Sequence, residues 1–358
     1  MNDANELISF IASMSGEGNL RVEENLGEGY VRLRVSEAER RQAKHDIQHV
    51  EDIVIEMLRN ARDAGADKVY LATTKEDGVR TLVFLDNGSG VPQDMQERIF
   101  DARVTSKLES MKMDRWGVHG RGMALFSIKQ NTDEARVVAS DVDLGSVFKV
   151  SVATDRLGER ADQSSWPQAV DGHYVCARGP HNIIRAACEF ALEELRACDV
   201  YLGSPSEIAA TLHAQASSRL DASRLLFIDD EAELPVVDRL GLASDAEDFI
   251  RICSGLGLEM SERTAHRILA GQIKPVRGVT ARLLRERDSS SHASAPVDLA
   301  KDRRGLRIAK DDMAQFSRAV ERDFNDLASR YYLNLCGDPK IRVSRDRISV
   351  TFDLAKEE

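Results

Sequence analysis

The sequence predicts an α/β protein that has a mixed β-sheet in its N-terminal half and a mainly helical region after it. Three observations predict this fold class. Apolar residues recur every three or four positions over residues 42–64, which is the spacing of an amphipathic helix. Runs rich in Val, Leu, Tyr, Phe and Thr at 68–73 and 81–86 are typical of buried strands. Beyond about residue 205 the apolar spacing is again that of helices.

The N-terminal region contains the elements of one α/β sandwich in chain order. Residues 1–45 are expected to begin as a helix and to include a strand at 30–35. Gly65 follows the helix at a position where a residue in the left-handed conformation commonly ends a helix. A further helix is expected at 183–198, and further strands at 135–139, 147–152, 172–178 and 199–202. Residues 1–205 are therefore predicted to form a mixed sheet with helices on one face.

The region that follows is predicted to be mainly helical and to end in a β-hairpin. A serine-rich segment at 288–296 has the composition of a linker. Strand patterns at 341–344 and 348–353 indicate the terminal hairpin. Helices are expected at 206–216, 246–256, 261–269, 279–287 and 312–327. The predicted domains are 1–205, 206–290 and 291–358.

The composition is typical of a globular chain, with 42% hydrophobic and 30% charged residues among 358. The net charge of −11 repels nucleic acid at long range, so any contact with DNA requires a locally basic surface. No apolar run reaches the roughly 18 residues that a membrane span requires. The N-terminus lacks the basic segment of a signal peptide, so we expect a cytoplasmic protein that does not contact membranes. Five scattered cysteines have no metal-ligand spacing and are expected to be reduced thiols.

The first candidate site is the segment 56–66, EMLRNARDAGA. Glu56, Asn60 and Asp63 are four and then three positions apart, so they share one face of a helix. A face rich in oxygen atoms suits a hard cation such as Mg²⁺, and a carboxylate there suits activation of a water molecule. The alternative is an ordinary polar face in contact with solvent.

The second candidate is the segment 86–90, DNGSG, directly after a predicted strand. Gly88 and Gly90 allow a flat ring to approach the backbone closely. If Asp86 is buried, its carboxylate can accept a hydrogen bond from an exocyclic amine, which is the distinguishing donor of adenine. The alternative is an ordinary turn between two strands.

The third candidate is the segment 117–122, GVHGRG, directly before a helical pattern. Glycines that lead into a helix N-terminus, here Gly117, Gly120 and Gly122, can cradle phosphates with backbone N–H groups and the helix dipole. This signal is weak alone, because the segment lacks the strand-turn-helix setting of a dinucleotide-binding motif.

In this order the three segments resemble the motifs of the GHKL superfamily, which includes DNA gyrase, the large heat-shock chaperones, histidine kinases and MutL. The resemblance covers about residues 45–150 and extends more weakly to 205. Ile99 and Phe100, followed by the segment 105–107, TSK, resemble the ATP lid of MutL and the topoisomerase VI B subunit, the relatives closest in motif spacing. The resemblance implies a Bergerat-type α/β sandwich that binds ATP and Mg²⁺. It further implies ATP hydrolysis that drives lid closure and nucleotide-dependent homodimerisation or docking of a partner protein.

The resemblance also implies individual roles. Glu56 is the expected general base, Asn60 the Mg²⁺ ligand, and Asp63 a supporting residue of the site. Asp86 is expected to bind the adenine amine, with Gly88 and Gly90 forming the pocket wall. Lys107 is the expected lid residue that acts in catalysis. The remaining phosphate contacts are expected from Thr105, Gly117, Gly120 and Gly122.

Glu56 favours the hydrolytic branch of the superfamily, because histidine kinases generally lack this carboxylate. The expected output is a DNA transaction, and the region 263–287, which contains seven Lys or Arg residues and one acidic residue, is the candidate DNA contact. The segment 252–269, which overlaps the start of this region, loosely resembles a helix-turn-helix, and Lys274 resembles a switch lysine of gyrase. The alternatives are a chaperone-like or signalling ATPase that acts on proteins, or a nucleotide-gated partner module that does not hydrolyse ATP.

Overall fold

The structure, a computed structural model, describes residues 22–106, 112–114, 117–119, 122–170, 176–193, 198–220, 230–284, 310–328, 333–337, 339–343 and 348–356. The chain divides into two compact units, residues 1–287 and residues 288–358. The first unit contains both the predicted α/β region and most of the helical region after it. The division at residue 205 into separate domains remains a prediction.

The first unit combines twelve described strands with seven described α-helices. The strands are β1 Val22–Gly27, β2 Tyr30–Leu33, β3 Lys68–Glu76, β4 Val79–Asp86, β5 Val104–Thr105, β6 Lys112–Asp114, β7 Gly117–His119, β8 Glu134–Ser140, β9 Ser146–Ala153, β10 Gln168–Val170, β11 Cys176–Arg178 and β12 Asp199–Gly203. The helices are α1 Glu37–Asp46, α2 Val50–Asp63, α3 Ala124–Asn131, α4 Ile183–Glu193, α5 Pro205–Arg219, α6 Ala246–Gly255 and α7 Glu262–Leu269. Residues 279–284 are also helical.

A five-stranded mixed sheet in the order β12-β3-β4-β9-β8 is the centre of the first unit. Strand β12 is parallel to β3, and the other pairs are antiparallel. In this register Asp86, the last residue of β4, pairs with Val69 of β3 and with Ser146 of β9. The end of β4 and the start of β9 therefore lie side by side, at the edge of the sheet that is formed by strand ends.

Helices cover both faces of this sheet. Successive strand residues point to opposite faces, so neighbouring residues of β3 and β4 belong to two different apolar cores. On one face α2 and α4 pack on the sheet through Ile53, Leu58, Leu71, Phe84, Ile183 and Phe190. On the other face α5 and α6 pack through Tyr70, Val83, Leu85, Ile208, Leu212 and Phe249. The predicted mixed α/β sandwich is confirmed, and the later helical region adds a second helical layer to it.

The continuous helix predicted over 42–64 is wrong, because the structure has two helices, α1 and α2, separated by three residues. Ile47 has extended backbone angles and ends α1. The Asp52 carboxylate accepts the backbone N–H of His49 at 2.9 Å, which starts a new helix. Helix α1 has its own N-terminal cap, in which Ser36 accepts a backbone N–H of the first turn. Capping groups at both helix starts stabilise the break.

The second unit contains helix α8 and two antiparallel strand pairs. Its elements are α8 Lys310–Ala328, β13 Leu333–Leu335, β14 Lys340–Val343, β15 Ile348–Thr351 and β16 Leu354–Lys356. Strand β14 pairs with β15 as the predicted terminal hairpin, and β13 pairs with β16. The predicted linker at 288–296 lies outside the described residues. Among the described helices, none is both long and apolar enough to span a bilayer.

Candidate functional site

A cavity of about 620 Å³ lies beside α2 and the edge of the sheet where β4 ends. The elements around it are β2, α1, α2, β4, β5, α3 and β9. Residues from all three sequence motifs meet at its wall, together with one from the segment 105–107 that resembles an ATP lid and is called the lid segment below. They are Glu56, Asn60, Asp63, Asp86, Gly90, Thr105 and Gly122. The fold therefore brings together groups that are up to 66 positions apart in the sequence.

Helix α2 presents its oxygen-rich face to this cavity. Val54 and Leu58 lie on the opposite side of the helix from Glu56, where they are fully buried and fix the rotation of the helix. The Glu56 side chain, 23% exposed, is paired with Arg59 at 2.6 Å between Oε1 and Nη1. Asp63 lines the cavity one turn beyond Asn60. The face is thus part of a cavity wall and is not the open polar surface of the alternative interpretation.

Two buried polar atoms at the cavity wall have no hydrogen-bond partner among the described residues. They are Asn60 Nδ2 on α2 and Ser127 Oγ on α3. Buried polar groups in proteins are nearly always paired, so an unpaired amide and hydroxyl at one cavity indicate a polar ligand. Phosphate oxygens have the acceptor chemistry that both groups require.

The same wall fits Mg²⁺. The Asn60 amide provides a hard oxygen of the kind that this ion prefers. Among the described residues, no group of three or more His, Cys, Asp or Glu side chains is arranged to hold a metal. Mg²⁺ bound with a nucleotide usually takes one or two protein oxygens and completes its shell with phosphates and water. The donor set around Asn60 is of this type.

At the sheet edge, the cavity has one buried carboxylate among apolar side chains. Asp86 is 4% exposed, and its Oδ1 accepts the Gly88 N–H at 2.8 Å. Phe84 and Phe148, directly paired across β4 and β9, both line the cavity. Ser146 lies beside Asp86 on β9 and is also buried. An apolar slot with a fixed acceptor at its end suits a flat heteroaromatic base that has an amino group.

The two glycines of the DNGSG segment are required by backbone packing. A Cβ at Gly90, which has a φ of +71°, would lie 1.8 Å from the Asp141 carbonyl oxygen. A Cβ at Gly88 would lie 2.8 Å from the Ala64 carbonyl oxygen at the end of α2. Gly90 lines the cavity, whereas Gly88 lies against α2. Close approach of these backbones holds Asp86 in place.

Replacing Gly90 with Ala is expected to lower the free energy of unfolding by roughly 2–5 kcal/mol, because the new Cβ meets a backbone oxygen and φ is unfavourable. Chemical denaturation followed by circular dichroism measures this change. Gly78→Ala is the matched control, because Gly78 has a φ of +79° with no atom within 4 Å of the added Cβ. The control should lose only about 1 kcal/mol. Equal losses in the two variants would contradict the packing argument.

The lid segment begins next to the cavity. Thr105 of β5 pairs with Val31 of β2 and lines the cavity. Gly122 has a φ of +65°, and its carbonyl accepts the Arg103 N–H at 2.8 Å. Gly117 begins β7. Lys107 and Gly120 lie outside the described residues, so their contacts with phosphate remain predictions.

Some residues at the cavity were missed by the sequence analysis. The wall also includes Tyr30 of β2, and Gln42 and Asp46 of α1. It further includes Arg59 of α2 and Ser127 of α3. Burial raises the pKa of the Tyr30 phenol, which hydrogen-bonds Ser106 of the lid segment. The sequence could have indicated two of these residues. Arg59 lies inside the first motif, and Ser127 lies shortly after the third.

The described part of the basic region spans both faces of the sheet. Ala265 and Ile268 join the core on the α5 and α6 side, whereas Val279 and Leu283 join the core on the α2 side. Helices α6 and α7 are joined by residues 256–261, in which Gly257 has a φ of +69°. The resemblance of this segment to a helix-turn-helix remains a prediction. Arg263, Arg267 and Arg277 are exposed. Lys274 is also exposed and is not among the described residues that line the cavity. Arg285 and Arg287 lie outside the described residues.

Comparison with known proteins agrees with this site. Residues 47–139 match the family model described as histidine kinase-, DNA gyrase B-, and HSP90-like ATPase. Relatives include the DNA mismatch repair protein MutL of Staphylococcus aureus strains Newman, JH1 and Mu3. Each is 28% identical over 136 residues, which is 35% of this chain but only 20% of the relative. The resemblance to GHKL ATPases, and to MutL among them, is confirmed.

Proposed function

We propose that this protein binds ATP with Mg²⁺ in the cavity beside α2 and hydrolyses it. The single observation that carries the proposal is the meeting of the α2 face with Asp86 in one cavity, at whose wall Asn60 Nδ2 and Ser127 Oγ have no partner among the described residues. One end suits an adenine ring and the other suits phosphates. The match of residues 47–139 to an ATPase family supports the same nucleotide.

Each part of the site has a separate task in this proposal. Asp86 accepts the adenine amine, and Phe84 and Phe148 enclose the ring. Asn60 ligates Mg²⁺, which neutralises phosphate charge. Glu56 orients the attacking water and accepts its proton. Catalysis then consists of positioning and charge stabilisation, as is usual in phosphoryl transfer.

Hydrolysis is proposed to reset a nucleotide-dependent closure. ATP closes the lid around Thr105 and Lys107, and closure drives homodimerisation or docking of a partner protein. Two measurements test this cycle. One is the release of phosphate from Mg²⁺-ATP, and the other is the molar mass of the protein from light scattering. We expect steady release of phosphate, with a larger molar mass in a non-hydrolysable ATP analogue than in ADP. A protein that binds no ATP would refute the proposal.

The proposed output of the cycle is a DNA transaction. The relatives are named as DNA mismatch repair proteins, although the chain spans only a fifth of their length. The exposed arginines of the basic region add an independent reason, because they are concentrated in a chain whose net charge is −11. If the protein fails to bind DNA even at low salt, the chaperone-like or signalling ATPase replaces this interpretation.

Changing Arg263, Arg267 and Arg277 together to Ala is expected to weaken duplex DNA binding and to reduce its salt dependence. The slope of log K against log salt should fall by about three if each side chain contacts one phosphate. Fluorescence anisotropy at several salt concentrations measures both quantities. The control removes three exposed arginines elsewhere, Arg41, Arg136 and Arg156, and should leave the slope much closer to that of the wild type.

A further inference from the structure

Arg59 is a buried cation at the wall of the candidate nucleotide site. Its side chain is only 4% exposed, and Nη1 lies 2.6 Å from Glu56 Oε1. Both residues are on α2, one turn apart, and both line the cavity. Burying a guanidinium is costly unless a partner compensates its charge, so the Glu56 carboxylate and Arg59 depend on each other.

The charges around the cavity make this pair unusual. Its described wall contains the carboxylates of Asp46, Glu56, Asp63 and Asp86, and Arg59 is the single Lys or Arg among the described lining residues. A triphosphate that enters such a site meets negative charge. The one Lys or Arg of this described wall is engaged by the Glu56 carboxylate, so its guanidinium is directed toward that side chain.

A purely structural role explains the burial of Arg59 poorly. Buried ion pairs contribute little net stability, since desolvation offsets most of the attraction. Helix α2 is already anchored by apolar residues such as Ile53, Val54 and Leu58, which are fully buried. The Arg59 side chain instead ends at the one carboxylate of α2 for which a base role is proposed.

We infer that Arg59 is a positioning residue for Glu56. The guanidinium fixes the carboxylate so that it faces the water that attacks the terminal phosphate. This inference rests on the proposed hydrolysis of ATP. Because both partners belong to one helix, the orientation is set by α2 and is present before nucleotide binds. Arg59 acts through Glu56 and does not itself hold the nucleotide.

Arg59→Gln tests this inference through the separation of kcat from KM. We expect kcat to fall about 100-fold, because misplacement of a reacting group by about 1 Å has effects of this size. KM and the Kd for ATP should change less than about threefold, because the contacts that bind substrate and transition state equally are not removed. Arg59→Lys should recover part of kcat, because the ammonium restores the charge without the planar fork.

The matched control is Arg185→Gln. Arg185 is also a largely buried arginine in a helical ion pair, with Glu189 at 2.9 Å on α4, and it lies away from the cavity. The control should lose a similar amount of stability in thermal unfolding and should keep the wild-type kcat. Arg59→Met is the second variant, because an apolar side chain tolerates burial if Arg59→Gln fails to fold, and it should show the same loss of kcat.

The outcomes separate this inference from the proposed function. Wild-type protein without ATPase activity would refute the hydrolytic function itself, whereas a fully active Glu56→Gln variant would refute Glu56 as the base. An inactive Glu56→Gln together with a fully active Arg59→Gln or Arg59→Met overturns only the role of Arg59. A rise in Kd for ATP with unchanged kcat also overturns it, because Arg59 would then bind phosphate directly. In the Glu56→Gln background, Arg59→Gln should leave the Kd for ATP unchanged.

Discussion

Glu56→Ala is expected to keep ATP binding and to lose ATP hydrolysis. The side chain lies on the cavity face of α2, where a carboxylate can orient a water molecule toward the terminal phosphate. Removal of a general base typically lowers the rate about 10²–10⁴-fold. The adenine end of the cavity is not changed, so the Kd for ATP should stay within about threefold of the wild type. Calorimetric titration with ATP and a phosphate-release assay measure the two quantities separately.

The matched control is Glu37→Ala, which removes a carboxylate from the exposed surface of α1. Glu37 is 72% exposed and belongs to the neighbouring helix. This variant should hydrolyse ATP at the wild-type rate. Wild-type turnover in Glu56→Ala would remove Glu56 as the base. Binding without turnover in the wild type itself would favour the nucleotide-gated module that does not hydrolyse ATP.

Asp86→Asn is expected to weaken ATP binding itself, by about 10–100-fold. Oδ1 of Asp86 accepts the Gly88 N–H, and an Asn side chain can keep that bond only with its amide oxygen. Its NH₂ group would then face the adenine amine, so two hydrogen-bond donors would meet without an acceptor between them. The size of the side chain is unchanged, so the effect reports the lost acceptor. Titration with ATP and with GTP should show reduced discrimination between the two bases.

Asp77→Asn provides the corresponding control in the turn between β3 and β4. Asp77 has a φ of +49°, a conformation that Asn also tolerates. Its affinity for ATP should equal that of the wild type. An Asp86→Asn variant with unchanged affinity and unchanged base discrimination would mean that the adenine is bound elsewhere.

The α2 part of the site could be predicted because helix geometry depends on local spacing. Glu56, Asn60 and Asp63 share a face whatever the remaining chain does, and the apolar residues of the helix determine which face is buried. The position of Asp86 at a strand end was also readable, because the segment 86–90 interrupts a clear strand pattern. Local pattern alone therefore located two parts of the cavity wall.

Other features depend on contacts that sequence spacing does not encode. The break between α1 and α2 is set by capping at Asp52, within a segment whose apolar period continues through the break. Tyr30 and Ser127 reach the cavity only because the sheet brings distant segments together. The second helical layer could not be predicted either, since an amphipathic helix does not specify which surface it covers.

The central claim is that the α2 face and Asp86 hold the two ends of one ATP molecule. A crystal structure with Mg²⁺ and a non-hydrolysable ATP analogue tests it most directly. The claim predicts the adenine amine within hydrogen-bond distance of Asp86, the metal on Asn60, and the terminal phosphate facing Glu56. An analogue bound at another surface, or bound in the cavity with its phosphates directed away from α2, would contradict it.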